Sequence, residues 1–248
     1  MDNQTRVKHQ SLNAKILGLT AAASALLAGN RAQASLEFAG SGIAVDNTYA
    51  VSATATFTAE AGNQLQVVLE NTGSFPTESI GGIVFGVLFS GAGSLTLQSA
   101  TVMTGETMWN AGSKTPVTAT TSILDPHGDP GWSQQTINGE FGASALGNGF
   151  QADGIISKGY NGNTDDGLGN GNHNPTYQDY VTLVFNGYTG GNAGLGSIQN
   201  VNFMFGTADQ TINGIAVPEP GTLVAGTALV LPFAAGLLRT LRREKQRA

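Results

Sequence analysis

The 248-residue chain holds 35 Gly, no Cys, 11 Lys plus Arg and 17 Asp plus Glu, for a formal net charge of −6. That length suits one β domain of ~200 to 250 residues or two smaller ones, and the lack of cysteine excludes disulfides, thiolate nucleophiles, Cys-ligated zinc and iron–sulfur clusters. The glycines follow no three-residue period, which excludes collagen, and recurrent alternating apolar stretches exclude disorder over most of the length.

The chain opens with Arg6, Lys8 and Lys15, then an apolar stretch from Ile16 to Ala28, then Ala32-Gln33-Ala34. Basic flank, short apolar run and small-residue site in that order are the layout of a secretory signal peptide over residues 1–34, cut by signal peptidase after Ala34. The apolar run is too short to cross a bilayer core of ~30 Å as a permanent anchor.

From Ser35 onward the pattern is that of strands. TYAVSATATFT puts Tyr49, Val51, Ala53, Ala55 and Phe57 on one face and Ser52, Thr54, Thr56 and Thr58 on the other. Strict period two over that length predicts a strand with one buried face. QLQVVLENTGS predicts a second, with Leu65, Val67 and Leu69 inward and a turn over Asn71 to Gly73. GGIVFGVLFSG is apolar on both faces, as a central strand covered on two sides should be. SLTLQSATV, YVTLVFNGY and VNFMFGT add shorter strands separated by Gly and Asn turns. No helical period persists, so residues 35–216 are expected to form an all-β domain, an antiparallel sandwich or jelly-roll-like fold.

Leu124 to Asn174 reads as loop-rich. Within it Asn161, Asn163, Asp165 and Asp166 supply hard oxygen ligands of the kind Ca²⁺ takes. Their spacing is not that of an EF-hand, because Gly167 falls one place late and Asn172 stands where the bidentate Glu belongs; a turn-rich loop is the better reading and calcium the alternative. His127 and His173 have no spacing that defines a metal site, and Glu106 with Glu140 have none that defines a glycosidase pair. Trp109, Trp132, Tyr160, Tyr177 and Tyr188 could stack on sugar or fill a core. Trp132, in a Pro- and Gly-rich stretch, is the candidate for an exposed glycan platform. The nucleophile elbow G-x-S-x-G is absent, and GLGNGN does not match G-x-G-x-x-G.

The chain ends VPEPGTLVAGTALVLPFAAGLLRTLRREKQRA. Thr222 to Leu238 carry no charge, and 17 residues rise ~25 Å as a helix, enough for a thin or locally deformed bilayer. Apolar residues occupy all faces of that helix, unlike an amphipathic one. Arg239, Arg242, Arg243, Lys245 and Arg247 would hold the following end on the cytoplasmic side.

Val217-Pro218-Glu219-Pro220-Gly221, the apolar span and the Arg-rich end together resemble the PEP-CTERM sorting signal recognised by exosortases in bacteria that make extracellular polysaccharide. The resemblance covers residues 217–248. It implies handling: cleavage near Pro218, Glu219 and Pro220, then residence at the cell surface or in the exopolymer matrix. Pro218 and Pro220 fix φ and disfavour α in the residue before each, so an extended peptide precedes the apolar span.

Between Ser35 and Pro218 only Lys114 and Lys158 face 14 acidic residues, a net charge of −12. Such a domain is ill suited to nucleic acid or anionic lipid, both of which require basic patches. The leading expectation is a non-enzymatic surface or matrix protein associated with exopolysaccharide. A carbohydrate-binding module and a secreted hydrolase are the alternatives.

Overall fold

The computed structural model describes residues 34–44, 50–74, 79–124, 131–146, 152–162, 168, 174–206 and 210–218. Its strands are, in chain order, β1 (Ser35–Ile43), β2 (Ala50–Glu60), β3 (Gln64–Asn71), β4 (Val84–Ser90), β5 (Thr96–Val102) and β6 (Thr107–Asn110). They continue with β7 (Ser113–Pro116), β8 (Thr121–Ser122), β9 (Ser133–Ile137), β10 (Glu140–Ser144) and β11 (Gly154–Ile156). The series closes with β12 (Thr176–Gln178), β13 (Tyr180–Asn186), β14 (Gln199–Phe205), β15 (Gln210–Asn213) and β16 (Ile215–Val217).

Two sheets form a β-sandwich. The first runs β16-β1-β2-β3-β13-β5-β8, and the second runs β15-β14-β4-β11-β12-β6-β7 with β10 paired to β4 and β9 to β10. The predicted alternations set the first sheet's inner face: Val51, Ala53, Ala55 and Phe57 of β2 and Leu65, Val67 and Leu69 of β3 are all buried. Antiparallel register places Phe57 opposite Val67 and Ala55 opposite Leu69, so one apolar face is continuous across both strands. β4 is central in the second sheet and buried along Val84–Phe89, as a run apolar on both faces requires.

Aromatic rings lock the sheets together. Phe57 of the first sheet meets Phe89 of the second edge to face at 5.1 Å, and Phe89 meets Phe185 of β13 at 5.7 Å. Such pairs contribute ~0.5 to 1.5 kcal/mol beyond their burial. Gly40 in β1 leaves the space that the Phe203 ring occupies, since a Cβ there would lie 2.7 Å from its Cδ2. The chain finally switches sheets at Gly214, between β15 in one and β16 in the other.

Two expectations are corrected. The fold is not wholly antiparallel: β11 and β12 pair in parallel, Gly154 with Thr176 through Ile156 with Gln178. The Leu124 to Asn174 region also holds β9, β10 and β11. β9 and β10 are joined by Asn138-Gly139 with φ of 51° and 84°, a two-residue hairpin in which both positions are left-handed. Among the described residues no helix is long and apolar enough to cross a membrane. The apolar stretch 16–28 of the expected signal peptide and the span 222–238 lie outside the described residues.

Candidate functional site

β1, β3 and β5 run in one direction and β2, β13 and β16 in the other, which gives the sandwich two poles. At the pole where β3 ends and β13 begins, five ionisable side chains converge. Lys158 Nζ lies 3.0 Å from Asp179 Oδ1 and 4.0 Å from Glu70 Oε1. Glu106 accepts a hydrogen bond from the Tyr180 hydroxyl. Partial burial pushes the Glu106 carboxyl above its ordinary range, against the Tyr180 hydrogen bond, with Asp179 adding repulsion. The contact with Asp179 in turn holds the exposed Lys158 ammonium above its usual value. Asp179 sits in the β12–β13 connection at φ 89°, and its backbone ties the sheets: its N–H donates to Ile156 O and its carbonyl accepts from Asn71 N.

Beside this cluster lies a buried polar group that local pattern does not announce. Asp153, at φ 62°, is buried just before β11, with its carboxyl hydrogen-bonded to the Tyr177 hydroxyl. Desolvation pushes Asp153 up to about 7, and the Tyr177 hydrogen bond offsets part of that rise. Burial likewise raises the Tyr177 phenol, and the nearby Asp153 charge adds to it.

Trp132 is not a platform. It is 0 % exposed, and its indole Nε1–H donates to the Asp153 carbonyl oxygen at 2.8 Å. A Pro- and Gly-rich neighbourhood in sequence does not keep a large ring in water when the fold offers a core site with a hydrogen-bond acceptor. Trp109, Tyr160, Tyr177 and Tyr188 are buried as well, with Trp109 packed edge to face on Tyr160 at 4.8 Å.

Asn161 is exposed; Asn163, Asp165 and Asp166, the rest of the proposed calcium loop, lie outside the described residues, as do His127 and His173. Among the described residues no group of three or more His, Asp or Glu is arranged to hold a metal ion. Glu106 and Glu140 keep different company: Glu140 accepts from Asn202 Nδ2 at 2.8 Å, and Glu106 faces Tyr180. Of the processing residues, Ala34 directly precedes β1 and Pro218 directly follows β16. Ala32, Glu219 and Pro220 lie outside the described residues.

The outer face of the first sheet is rich in hydroxyls and amides. Cross-strand register lines up Ser35, Thr58, Gln66, Val184 and Ser99, and beside that row Thr56, Val68, Thr182 and Thr101. At the β1–β2 end of the same face, Ser41 pairs with Ser52 beside a shallow recess of ≈ 220 Å³, also lined by Ala39, Thr72, Asn213 and Ile215. Thr72 Oγ1 donates to Ser52 Oγ at 3.1 Å there. Hydroxyls set two residues apart along strands and ~4.8 Å apart across them can exchange hydrogen bonds with a polyol. No protein-family model, no curated protein and no solved structure matches this chain.

Proposed function

We propose that this is an exported, non-enzymatic protein of the cell surface or extracellular matrix. On this reading signal peptidase removes residues 1–34, an exosortase cuts near Pro218-Glu219-Pro220, and the remaining domain stays with exopolysaccharide. The observation that carries it is where the sandwich begins and ends. β1 opens at Ser35 and β16 closes at Val217, so removing both terminal segments would leave every described strand whole. β16 is nevertheless needed, since Val217 pairs with Glu37 and Ile215 with Ala39. A cut before Ile215 would strip an edge strand from the first sheet, whereas a cut at the motif would not.

Mass spectrometry of exported protein tests this. The expected species begins at Ser35 and ends close to the motif. Exported protein that keeps residues beyond Leu238 overturns the proposal.

A carbohydrate-binding module is the second reading, and the hydroxyl-rich outer face with its recess favours it. The binding surface would then be polar and ring-free. Loss of glycan retention on Ser52→Ala with Thr54→Val, in a domain that still unfolds cooperatively, would select it over the first.

A further inference from the structure

Among the described strands, the second sheet is continuous only through β11. On one side β11 meets β4 in a single register pair, Ile155 with Val84, and on the other it runs parallel to β12 over three, Gly154 to Ile156 against Thr176 to Gln178. β12, β6 and β7 follow outward from it, whereas β4 leads to β14, β15, β10 and β9. Without β11 in place, β12-β6-β7 loses its pairing to the rest of the sheet.

Apolar packing holds the body of β11. Ile155 and Ile156 are fully buried, and a Cβ on Gly154 would collide with Ile83 and Phe85. Asn71 Nδ2 and Asp179 N hold its far end by donating to Ile155 O and Ile156 O. Its start is held through Asp153 alone among polar side chains. Asp153 N donates to Pro175 O at 2.6 Å, its carbonyl accepts from Trp132 Nε1, and its carboxyl bonds to the Tyr177 hydroxyl. Three separate segments are thus tied to one residue that is itself 7 % exposed.

That carboxyl has little to compensate a charge. Trp132 and Pro175 bring none, and among the described residues Tyr177 of β12 is the titratable group that faces it. The charged side chains of neighbouring elements, Glu70 of β3, Glu106 before β6, Lys158 after β11 and Asp179 after β12, act on one another instead. An ionised carboxylate so placed is costly, and the cost vanishes once the residue reaches water.

We propose that Asp153 is a proton-controlled latch on β11: protonated, it keeps the strand seated between β4 and β12, and on ionisation residues 152–156 detach far more often, uncoupling β12-β6-β7 and baring Trp132 and Tyr177. Nothing in this latch depends on how the chain is exported or processed. Burial puts the closed-state carboxyl at about 7, against 3.8 for an exposed one. Between those values the closed form keeps a proton that the open form gives up. The opening equilibrium therefore rises by up to about tenfold per pH unit from about 4 to about 7 and is level above.

Hydrogen exchange of the full chain, read peptide by peptide at pH 5 and pH 8 and corrected for intrinsic chemical rates, tests the latch. Peptides over 152–156 and 176–178 are expected to lose protection by up to about 100-fold between the two. At pH 8 they should exchange faster than peptides of β2 and β3 and keep that rate in low urea, as a local opening does. Asp153→Asn removes the ionisation and should leave the same peptides level with pH. Wild-type protection over 152–156 that does not change with pH overturns the proposal, as does a wild-type pH dependence that survives in Asp153→Asn. Protection there that equals that of β2 and β3 and falls with urea as theirs does also overturns it, because the opening would then be global unfolding. If Asp153→Asn fails to fold, the wild-type pH and urea series decide alone.

Discussion

The indole Nε1–H of Trp132 donates to the backbone carbonyl of Asp153 across 2.8 Å, joining the residue before β9 to the one before β11. Asp153 N in turn donates to Pro175 O at 2.6 Å, and its carboxyl bonds Tyr177 in β12. One left-handed residue thus organises the parallel pair β11–β12 and the tryptophan packed on it.

Asp153 makes stability depend on pH, with a definite sign. Its carboxyl keeps a proton up to about pH 7 in the folded domain and loses it near 3.8 when unfolded. Between those values the folded state binds more protons, so stability falls as pH rises from about 4 to about 7 and is flat above. Asp153→Asn keeps the shape, tolerates φ 62°, and removes the buried ionisation. Urea titrations at pH 5 and pH 8 should show the wild type weaker at pH 8 and the variant nearly level. The gain at pH 8 has a ceiling of about 4 kcal/mol, at ~1.4 kcal/mol per pKa unit. A wild type stronger at pH 8 than the variant would refute the assignment.

Asn71 should be as costly to lose as a core apolar residue. It is buried at the end of β3, and its Nδ2 donates to both Gly82 O and Ile155 O at 2.9 Å, spanning from one sheet to the other. Asn71→Ala leaves two buried carbonyls without that donor, a loss of roughly 2 to 4 kcal/mol. Asn71→Asp, which has lost the amide donor, should fare no better at neutral pH. Denaturation midpoints with unchanged m-values measure both.

Ala111 offers a gain. The β6–β7 hairpin turns through Ala111-Gly112 at φ 46° and 82°, and a Cβ-bearing alanine is poorly suited to that left-handed position. The residue is exposed and its N–H, which donates to Asn174 Oδ1, is kept by any side chain. Ala111→Asn supplies the favoured turn pair and should stabilise the domain by about 1 kcal/mol, read as a higher melting temperature.

The elements readable in the sequence were those whose burial is a property of their own alternation. TYAVSATATFT and QLQVVLENTGS each carry one complete apolar face, and GGIVFGVLFSG carries two, so their strands needed no knowledge of partners. Asn138-Gly139 carried a usable hairpin signal between the short runs that became β9 and β10, although neither run has a full apolar face. β11 and β12 are three residues each and owe their pairing to contacts across the chain, which no local period records. The Glu70, Glu106, Lys158, Asp179 and Tyr180 cluster was hidden for the same reason. Its members come from four separate stretches that meet only when the sheets close.

The burial of Trp132 and the partial exposure of the Ser/Thr face separate stability from binding. Trp132→Phe removes the indole donor and leaves the Asp153 carbonyl short of a buried partner, so it should cost ~1 to 3 kcal/mol in unfolding experiments. At temperatures where the domain remains folded, it should leave polysaccharide retention unchanged, because the ring has no exposed surface to stack on a sugar. Ser52→Ala with Thr54→Val should do the opposite. Both positions are half-buried on the outer face, so unfolding should shift little while hydrogen bonding to a polyol is lost. Co-sedimentation with purified exopolysaccharide, beside thermal melts of the same samples, distinguishes the two. If Trp132→Phe lowers retention while its melt is unchanged, the tryptophan contacts glycan after all and the hydroxyl face is the wrong surface.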